Sequence, residues 1–262
     1  MDAVELTRLA CFATSLAMFI WWERDYCRNN ASTKVRFRWL NNFSIAITSS
    51  LIATLLSPLL AFQAAELATL HQIGLLNIIS ISLWLKIVIG IIALDCAIYW
   101  QHRLFHRIPI LWRVHRMHHT DTEVDITTGI RFHPIEIYLS LWIKVLVIIA
   151  LGLPAISVVV FEILLSTSAL FTHCNVRIPT KIEARLRRVF VTPNMHRIHH
   201  SIDETDHNSN FSFFLSIWDR LFVSYQAAPQ LGDTEHEVGL QRFRAKREIW
   251  LDKLLTQPFR KR

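Results

Sequence analysis

Eight of the thirteen histidines in this 262-residue chain occur in three short clusters. The first has the spacing HxxxH and the other two share the spacing HxxHH; the members are His102 and His106, then His115, His118 and His119, then His196, His199 and His200. The neutral imidazole ring is the commonest side-chain ligand for metals such as zinc, copper and iron. Residues three or four positions apart lie on one face of a helix. The clusters therefore predict a metal site made of histidines.

The clustered histidines outnumber the ligands of one metal ion, because a tetrahedral ion takes only four. We therefore expect two ions. Zinc hydrolases usually include carboxylate ligands, and soluble di-iron bundles use Glu and Glu-x-x-His. The three clusters contain neither pattern. A histidine-only pair of metal sites beside apolar segments suits oxygen chemistry on an apolar substrate, although these residues alone do not name the metal.

Composition indicates an integral membrane protein. Hydrophobic residues make up 52% of the chain, and the 19% of charged residues is below the soluble average of about 25%. Of the 28 Lys and Arg residues, only Arg8, Lys86 and Lys144 lie inside apolar stretches. The net charge of +7 therefore reflects membrane topology and does not indicate a nucleic-acid partner. The four cysteines have no metal-binding spacing and are expected to be reduced thiols.

The apolar stretches predict an all-α protein with about four membrane spans: two N-terminal spans, one further span and a helical hairpin. The first two are residues 9–22 and 40–65, with a kink at Pro58 and an outer turn near residues 66–77. Residues 78–100 then return inward, and the hairpin consists of residues 135–153 and 154–171. A cytoplasmic helical cap is expected to carry the metal site.

Two polar contacts are predicted for these helices. The third span is expected to continue into the first histidine cluster, where Asp95 shares a helical face with His102 and His106 and could accept a hydrogen bond from a ligand's second nitrogen. Lys144 and Glu162 lie at similar distances from the hairpin turn. We expect them to pair, because an unpaired charge inside a membrane costs about 3 kcal/mol.

Basic residues concentrate in residues 23–38 and 101–131. Cytoplasmic loops carry an excess of Lys and Arg. The metal site is therefore predicted to face the cytoplasm, on the inner side of the cell membrane.

Motifs over residues 95–225, about half of the chain, resemble the fatty acid hydroxylase / sterol desaturase superfamily of membrane-bound, histidine-rich di-iron oxygenases. The matching motifs are DxxxYWxHRxxH from Asp95, WxxHxxHHTD from Trp112, RFHPxE from Arg131, FTHCN from Phe171, TPxxHxxHHS from Thr192, and NSNF from Asn208 followed by LxxWDRLF. Two glycines that are usual in the closing motif are absent: Ser212 follows Asn-Phe, and Phe222-Val223-Ser224-Tyr225 replaces Phe-Gly-Thr-Tyr. Loss of a turn glycine would alter backbone angles there.

The resemblance implies two iron ions held by the eight clustered histidines, with His173 as an additional ligand. His207 and His133 are further candidates, either as ligands or as groups that support them. Asp95, Asn175 and Asn210 are candidates for orienting ligands, although asparagine more commonly caps helices. Zinc can replace iron in a purified sample. His71 and His236 fit no motif and are expected at the surface.

The resemblance also implies an oxygen-dependent enzyme that hydroxylates a C–H bond of a membrane lipid such as a sterol, fatty acyl or sphingolipid chain. Oxygen is the co-substrate, and electrons come from an external ferredoxin- or cytochrome-type donor, because the chain has no GxGxxG fingerprint. Desaturation on the same centre is the alternative reaction. A metal-binding or transport protein is the alternative of another class, which would favour ionisable residues along the spans.

Three regions are expected along the chain. Residues 1–94 form an N-terminal transmembrane region. Residues 95–225, which include the hairpin 135–171, form the catalytic domain, and residues 226–262 form a basic cytoplasmic tail.

Overall fold

The computed structural model describes residues 3–28, 35–230, 232 and 237–260, and within these residues the chain is helical, with only isolated β-bridges. The α-helices are α1 (Ala3–Asp25), α2 (Val35–Leu56), α3 (Ala61–Leu70), α4 (Leu75–Ile78), α5 (Leu83–Arg107), α6 (Pro109–His119), α7 (Pro134–Leu151), α8 (Ala155–His173), α9 (Thr180–Leu186), α10 (Pro193–His199), α11 (Glu204–His207), α12 (Ile217–Leu221) and α13 (Leu251–Thr256). Short 3-10 helices occur at Ile126–Ile130 and Gln257–Phe259. The predicted all-α fold class is confirmed.

Five helical segments in the described part of the chain are long and apolar enough to cross a membrane. They are α1, the stretch Val35–Ile78 that contains α2 to α4, α5, α7 and α8. The chain is therefore a multi-pass membrane protein. The two arms of the predicted hairpin account for two of these five segments.

The second apolar stretch is interrupted at Pro58, where the sequence predicted only a kink. α2 ends two residues before Pro58, and α3 begins three residues after it. Proline lacks the backbone N–H that a helix needs, and its ring clashes with the carbonyl four residues earlier. The predicted turn at residues 66–77 is also wrong, because most of it is helical. The alanine-rich face of α3 is buried against α7 and α8, and this packing extends the helix to Leu70.

α7 and α8 form the predicted hairpin. Gly152 ends α7 in the left-handed conformation that glycine adopts without strain, at φ 66°. Lys144 Nζ lies 2.9 Å from Glu162 Oε1, so the predicted ion pair across the hairpin is confirmed. Arg8 of α1 pairs with the other oxygen of the same carboxylate.

An apolar core joins α3, α5, α7 and α8. Leu94, Val145, Ile148 and Phe161 have no exposed surface in it. α1 packs on α8 as well. Because these helices pack along their lengths, the C-terminal ends of α5 and α8 meet the N-terminal end of α7 at one end of the bundle.

The described residues near the C-terminus pack against the bundle. Leu254 of α13 is buried with Ile45 of α2 and Met117 of α6. Arg116 donates to the backbone oxygen of Gln257 at 2.7 Å. His236, Lys261 and Arg262 of the predicted tail lie outside the described residues.

Candidate metal centre

Nine histidines converge where α5, α6, α8 and α10 meet, and they form two groups. Within each group, one candidate ligand atom per residue lies within 4.8 Å of the others. The five-histidine group contains His102, His106, His115, His119 and His199, and the four-histidine group contains His118, His173, His196 and His200. These are the nine residues that the sequence predicted as metal ligands.

Each HxxHH motif contributes to both groups. In α6 the first and last histidines belong to the five-histidine group, and the middle one belongs to the four-histidine group. In α10 and its C-terminal cap this assignment is reversed. Residues four positions apart share a helical face, whereas the residue beside the last one points away by about 100° at 3.6 residues per turn. One short helix can therefore serve two sites.

Proline begins both helices that carry an HxxHH motif. Pro109 starts α6 directly after Ile108, the C-cap of α5, and Pro193 starts α10. Proline fits the first helical position, because the N–H it lacks has no partner there. The Thr192 hydroxyl also accepts a hydrogen bond from Met195 N and caps α10. These local signals place the two HxxHH clusters on short, well-defined helices.

Backbone carbonyl oxygens orient four of the nine rings. In each of these rings Nδ1 lies 2.7–3.2 Å from the oxygen: His102 from Phe211, His118 from Arg131, His173 from Ala169, and His199 from Ser209. A carbonyl oxygen can only accept a hydrogen bond, so Nδ1 carries the hydrogen. In a neutral ring, Nε2 then has a free lone pair.

The Nε2 atoms face one another across short distances. In the five-histidine group, Nε2 of His102 lies 3.1 Å from Nε2 of His115. In the four-histidine group, Nε2 of His173 lies 3.0–3.2 Å from the Nε2 atoms of the other three rings. Between His118 and His173 both nitrogens carry lone pairs, which repel unless a cation lies between them. Ligands at about 2.0–2.1 Å from a tetrahedral ion are roughly 3.3 Å apart, so these histidines fit a metal ion.

Burial favours the neutral form of five of the rings outside the membrane-spanning helices. Five histidines have pKa values well below the ordinary value, chiefly because burial disfavours the charged ring and also because the neighbouring rings repel each other's charge. They are His118, His119, His196, His199 and His200. The neutral imidazole is the form that binds metal. These five histidines are therefore in the protonation state that binds a metal cation.

Glu136 is a functional candidate that sequence reasoning did not assign. Its Oε1 accepts a hydrogen bond from His115 Nδ1 at 2.7 Å, and both side chains are buried. A carboxylate in this position fixes the orientation of a metal-binding ring and raises its basicity. The signal in the sequence was an acidic residue at the start of an apolar span, the glutamate that closes the RFHPxE motif.

Asp95 is hydrogen-bonded to the closing segment of the chain, and the support of a metal ligand that the sequence suggested for it is not among its observed hydrogen bonds. Its Oδ2 accepts hydrogen bonds from Trp218 Nε1 at 2.7 Å and from Leu215 N at 3.2 Å, and no histidine contact is found for it among the described residues. Asp95 therefore attaches the closing segment of the chain to α5. Helical spacing placed it on the correct face but could not reveal this long-range partner.

His133 and His207 lie outside both groups. His133 Nδ1 accepts from Ile135 N and caps α7, while its Nε2 donates to Leu255 O at 3.1 Å. The His207 ring stacks on Trp112, with the ring centroids 5.4 Å apart. His71 is exposed, as predicted. The geometry therefore gives His133 a structural role and places His207 beside the five-histidine group.

The two candidate asparagines join segments of the site. Asn210 donates from Nδ2 to Met195 O at 3.1 Å and accepts from Gln226 N at 2.9 Å, which supports the α10 backbone. Asn175 N donates to Glu23 at 2.7 Å and links the end of α8 to α1.

A buried ion network supports the loop between α6 and α7. Arg38 of α2 donates to Asp121 at 2.7 Å and also pairs with Asp125. Arg131, which is 1% exposed, lies 3.8 Å from Asp121 and provides the carbonyl that orients His118. Burial raises the pKa of Asp121, but Arg38 and Arg131 lower it more, so the net shift is downward. Residues outside the histidine clusters thus hold the four-histidine group in place.

An apolar cavity of about 640 Å³ leads to the five-histidine group. Its walls come from α1, α2, α5, α7 and α8 and include Phe12, Phe43 and Ile98, together with Phe213 from the segment before α12. His102 and Glu136 lie on the same lining. The cavity therefore connects the membrane-spanning helices to the histidines.

Residues 87–224 match the family model described as fatty acid hydroxylase. The chain belongs to the fatty acid hydroxylase family. An ornithine lipid hydroxylase of Rhizobium tropici is 30% identical over 150 residues, which are 57% of this chain and 44% of that protein. Alkylglycerol monooxygenases of Homo sapiens and Danio rerio are 29% and 27% identical and cover 55% and 65% of this chain, and 31% and 36% of their own length. The chain thus spans less than half the length of these relatives. No solved structure gives a significant match.

This fatty acid hydroxylase family member retains a left-handed turn where the usual glycine is absent. Val223 has φ 56° and is 91% exposed. The neighbouring Ser224 hydroxyl donates to Asp219 at 2.7 Å, and Ser212 N donates to the same carboxylate at 3.0 Å. These bonds hold the closing segment although valine is strained in this conformation.

Proposed function

We propose that this protein is an oxygen-dependent di-iron hydroxylase that inserts one oxygen atom into a C–H bond of a membrane lipid. The observation that carries the proposal is the apolar cavity among the spans, which ends at His102 and Glu136 of the histidine site. Ligand pockets are typically apolar with a few convergent polar groups. The relatives are named for hydroxylation or monooxygenation of ornithine lipids and alkylglycerols, which supports a lipid substrate.

The five-histidine and four-histidine groups would each hold one iron ion. Imidazole binds iron and zinc alike, so zinc can occupy the same groups in a purified sample. Bound iron would supply the activation of dioxygen that an unactivated C–H bond requires.

The chain's own residues have three tasks in this reaction. Glu136 orients His115 through the hydrogen bond at Nδ1. The apolar cavity wall excludes water and holds a hydrocarbon chain beside His102. The Arg38–Asp121 ion pair stabilises the loop between α6 and α7, whose Arg131 carbonyl orients His118. The proposed catalytic unit, residues 95–225, contains all nine histidines, but the cavity also needs α1 and α2.

An acidic ferredoxin- or cytochrome-type protein would deliver the electrons. A groove of about 350 Å³ is lined by Arg28, Arg177, Arg187 and Arg197, and a small neighbouring cavity shares two of these arginines and reaches His173. Opposite charge accelerates association between redox partners. We expect Arg177→Glu to slow reduction by an acidic donor and to weaken its salt dependence, without changing reduction by dithionite. Equal rates in both proteins with the acidic donor would contradict this docking site.

The histidine site is proposed to face the cytoplasm, on the inner side of the cell membrane, in agreement with the basic loops. Cys27 tests this orientation, because it is exposed and its Sγ accepts a hydrogen bond from Asn175, two residues after the end of α8. A membrane-impermeant maleimide should label Cys27 in inside-out vesicles and not in intact cells, with Cys27→Ser as the control. Labelling in intact cells would reverse the orientation.

Mass spectrometry of lipids from the purified protein tests the reaction. Iron, oxygen, a reductant and membrane lipid extract should yield a product one oxygen atom heavier. A product two hydrogen atoms lighter would identify desaturation instead. A preparation that holds no metal and keeps its activity after His118→Ala would refute the proposed function.

A further inference from the structure

Three charged side chains line the apolar cavity far from the histidines: Arg8, Lys144 and Glu162. They come from α1, α7 and α8. Both cations pair with the one carboxylate, Lys144 with Oε1 and Arg8 with Oε2. The cluster therefore carries one more positive charge than negative charge.

The cluster lies between two cavities. A second cavity of about 600 Å³ shares all three charged residues with the cavity that reaches His102. Lys144 follows Glu136 by eight residues in α7, which corresponds to about 12 Å along the helix. A molecule bound at the cluster could therefore extend one end toward the histidines.

Membrane helices rarely carry an unneeded charge, because burying one there costs several kcal/mol. Arg8 and Lys144 share the single carboxylate of Glu162, so the three side chains together keep one net positive charge. Arg8 retains 37% side-chain exposure and can present further N–H groups to the cavity. Guanidinium and ammonium groups bind carboxylate and phosphate through strong, charge-assisted hydrogen bonds.

Acidic residues restrict where an anion can bind. Glu5 and Glu66 line the second cavity but not the one that reaches His102. They would repel an anion that moved farther from the histidines. An anionic group is therefore best stabilised at the junction, against Arg8 and Lys144.

We infer that the substrate is a lipid with an anionic group, a carboxylate or a phosphate, that binds Arg8 and Lys144 while its hydrocarbon chain fills the cavity toward His102. This inference rests on the proposed lipid hydroxylase function. It names the substrate class and predicts that oxidation occurs far along the hydrocarbon chain from the anionic group, because Lys144 and Glu136 are about 12 Å apart along α7.

Equilibrium binding of three probes with the same hydrocarbon chain tests the inference: palmitate, hexadecyl phosphate and hexadecanol. The full chain is purified in a non-ionic detergent, and no iron or reductant is added. The wild-type protein should bind the better anionic probe about tenfold more tightly than hexadecanol, or about 1.4 kcal/mol. The tighter of the two anions identifies carboxylate or phosphate as the recognised group.

Two substitutions locate the effect. Arg8→Gln and Lys144→Gln should each remove most of the preference for the anion and leave hexadecanol binding unchanged. Arg8→Lys should retain it, and so should the matched control Lys86→Gln, which removes a cation of α5 that does not line this cavity. Each variant must elute as a monodisperse protein before it is compared.

Three results would overturn the inference: equal binding of anionic and neutral probes by the wild type, an unchanged preference in both glutamine variants, or an equal loss of all three probes. The last would show that the cluster is only structural. Because the assay needs no turnover, it is independent of the proposed reaction. A protein that prefers the anionic probe and oxidises no lipid would contradict the proposed function alone.

Discussion

Replacing Glu136 with glutamine should weaken metal binding at the five-histidine group without disturbing the fold. Glu136 Oε1 accepts the His115 Nδ1 hydrogen bond at 2.7 Å in a buried environment. Glutamine keeps an oxygen acceptor at this place and removes the negative charge. A hydrogen bond to a charged group contributes about 1.5–3 kcal/mol and a neutral one about 0.5–1.5 kcal/mol. The difference of about 1–1.5 kcal/mol corresponds to roughly tenfold weaker binding.

Titration of the metal-free protein with Co²⁺, followed by visible absorbance, reports on both groups. Glu136→Gln should weaken one binding phase and leave the other unchanged. Asp95→Asn is the matched control, because Asp95 is also a buried carboxylate but contacts Trp218 and Leu215. Unchanged affinity in Glu136→Gln would refute the reasoning. Weaker metal binding in Asp95→Asn alone would restore the role that the sequence predicted for Asp95.

Three further predictions concern the site and the closing segment. His118→Ala should lower the metal content from two ions to one. His133→Ala should keep both ions and lose about 1 kcal/mol of stability, because it removes the cap of α7. Metal analysis and denaturation distinguish the two variants, and metal loss in His133→Ala would contradict the structural role of His133. Val223→Gly should raise the free energy of unfolding by roughly 0.5–1 kcal/mol, because the left-handed angle costs about 1–2 kcal/mol for valine and glycine loses part of that gain to chain entropy. Val189→Gly is the matched control, because Val189 is exposed but has no positive φ, and this substitution should lower the free energy of unfolding. Equal effects of the two substitutions would contradict backbone strain at Val223. Burial raises the pKa of Asp219, so the native protein binds a proton at higher pH than the unfolded chain, and stability should increase as pH falls toward the ordinary value of 3.8. Asp219→Asn should remove this slope in pH-dependent denaturation, and an unchanged slope would exclude Asp219 as its source.

Much of the candidate site could be predicted from the sequence, because imidazole chemistry and helical spacing are local properties. The three clusters and His173 supplied all nine histidines of the two groups. The hairpin and the Lys144–Glu162 pair were also predictable, since length, polarity and the cost of an unpaired charge depend on few residues. The sequence predicted only a kink at Pro58, where the helix ends, because whether a helix bends or ends at proline depends on the packing of the residues beyond it.

The amino-acid sequence by itself determined the ligand chemistry, the apolar helices and the family to which the chain belongs. Only the tertiary structure decided which histidine joins which group, because that depends on the angles at which α6 and α10 face each other. It also assigned Glu136, and not Asp95, to a metal-site histidine. Both carboxylates lie on predicted helices, but their partners are distant in sequence. Long-range packing places these partners, and it also brings Arg8 of the first helix into the cavity that ends at His102.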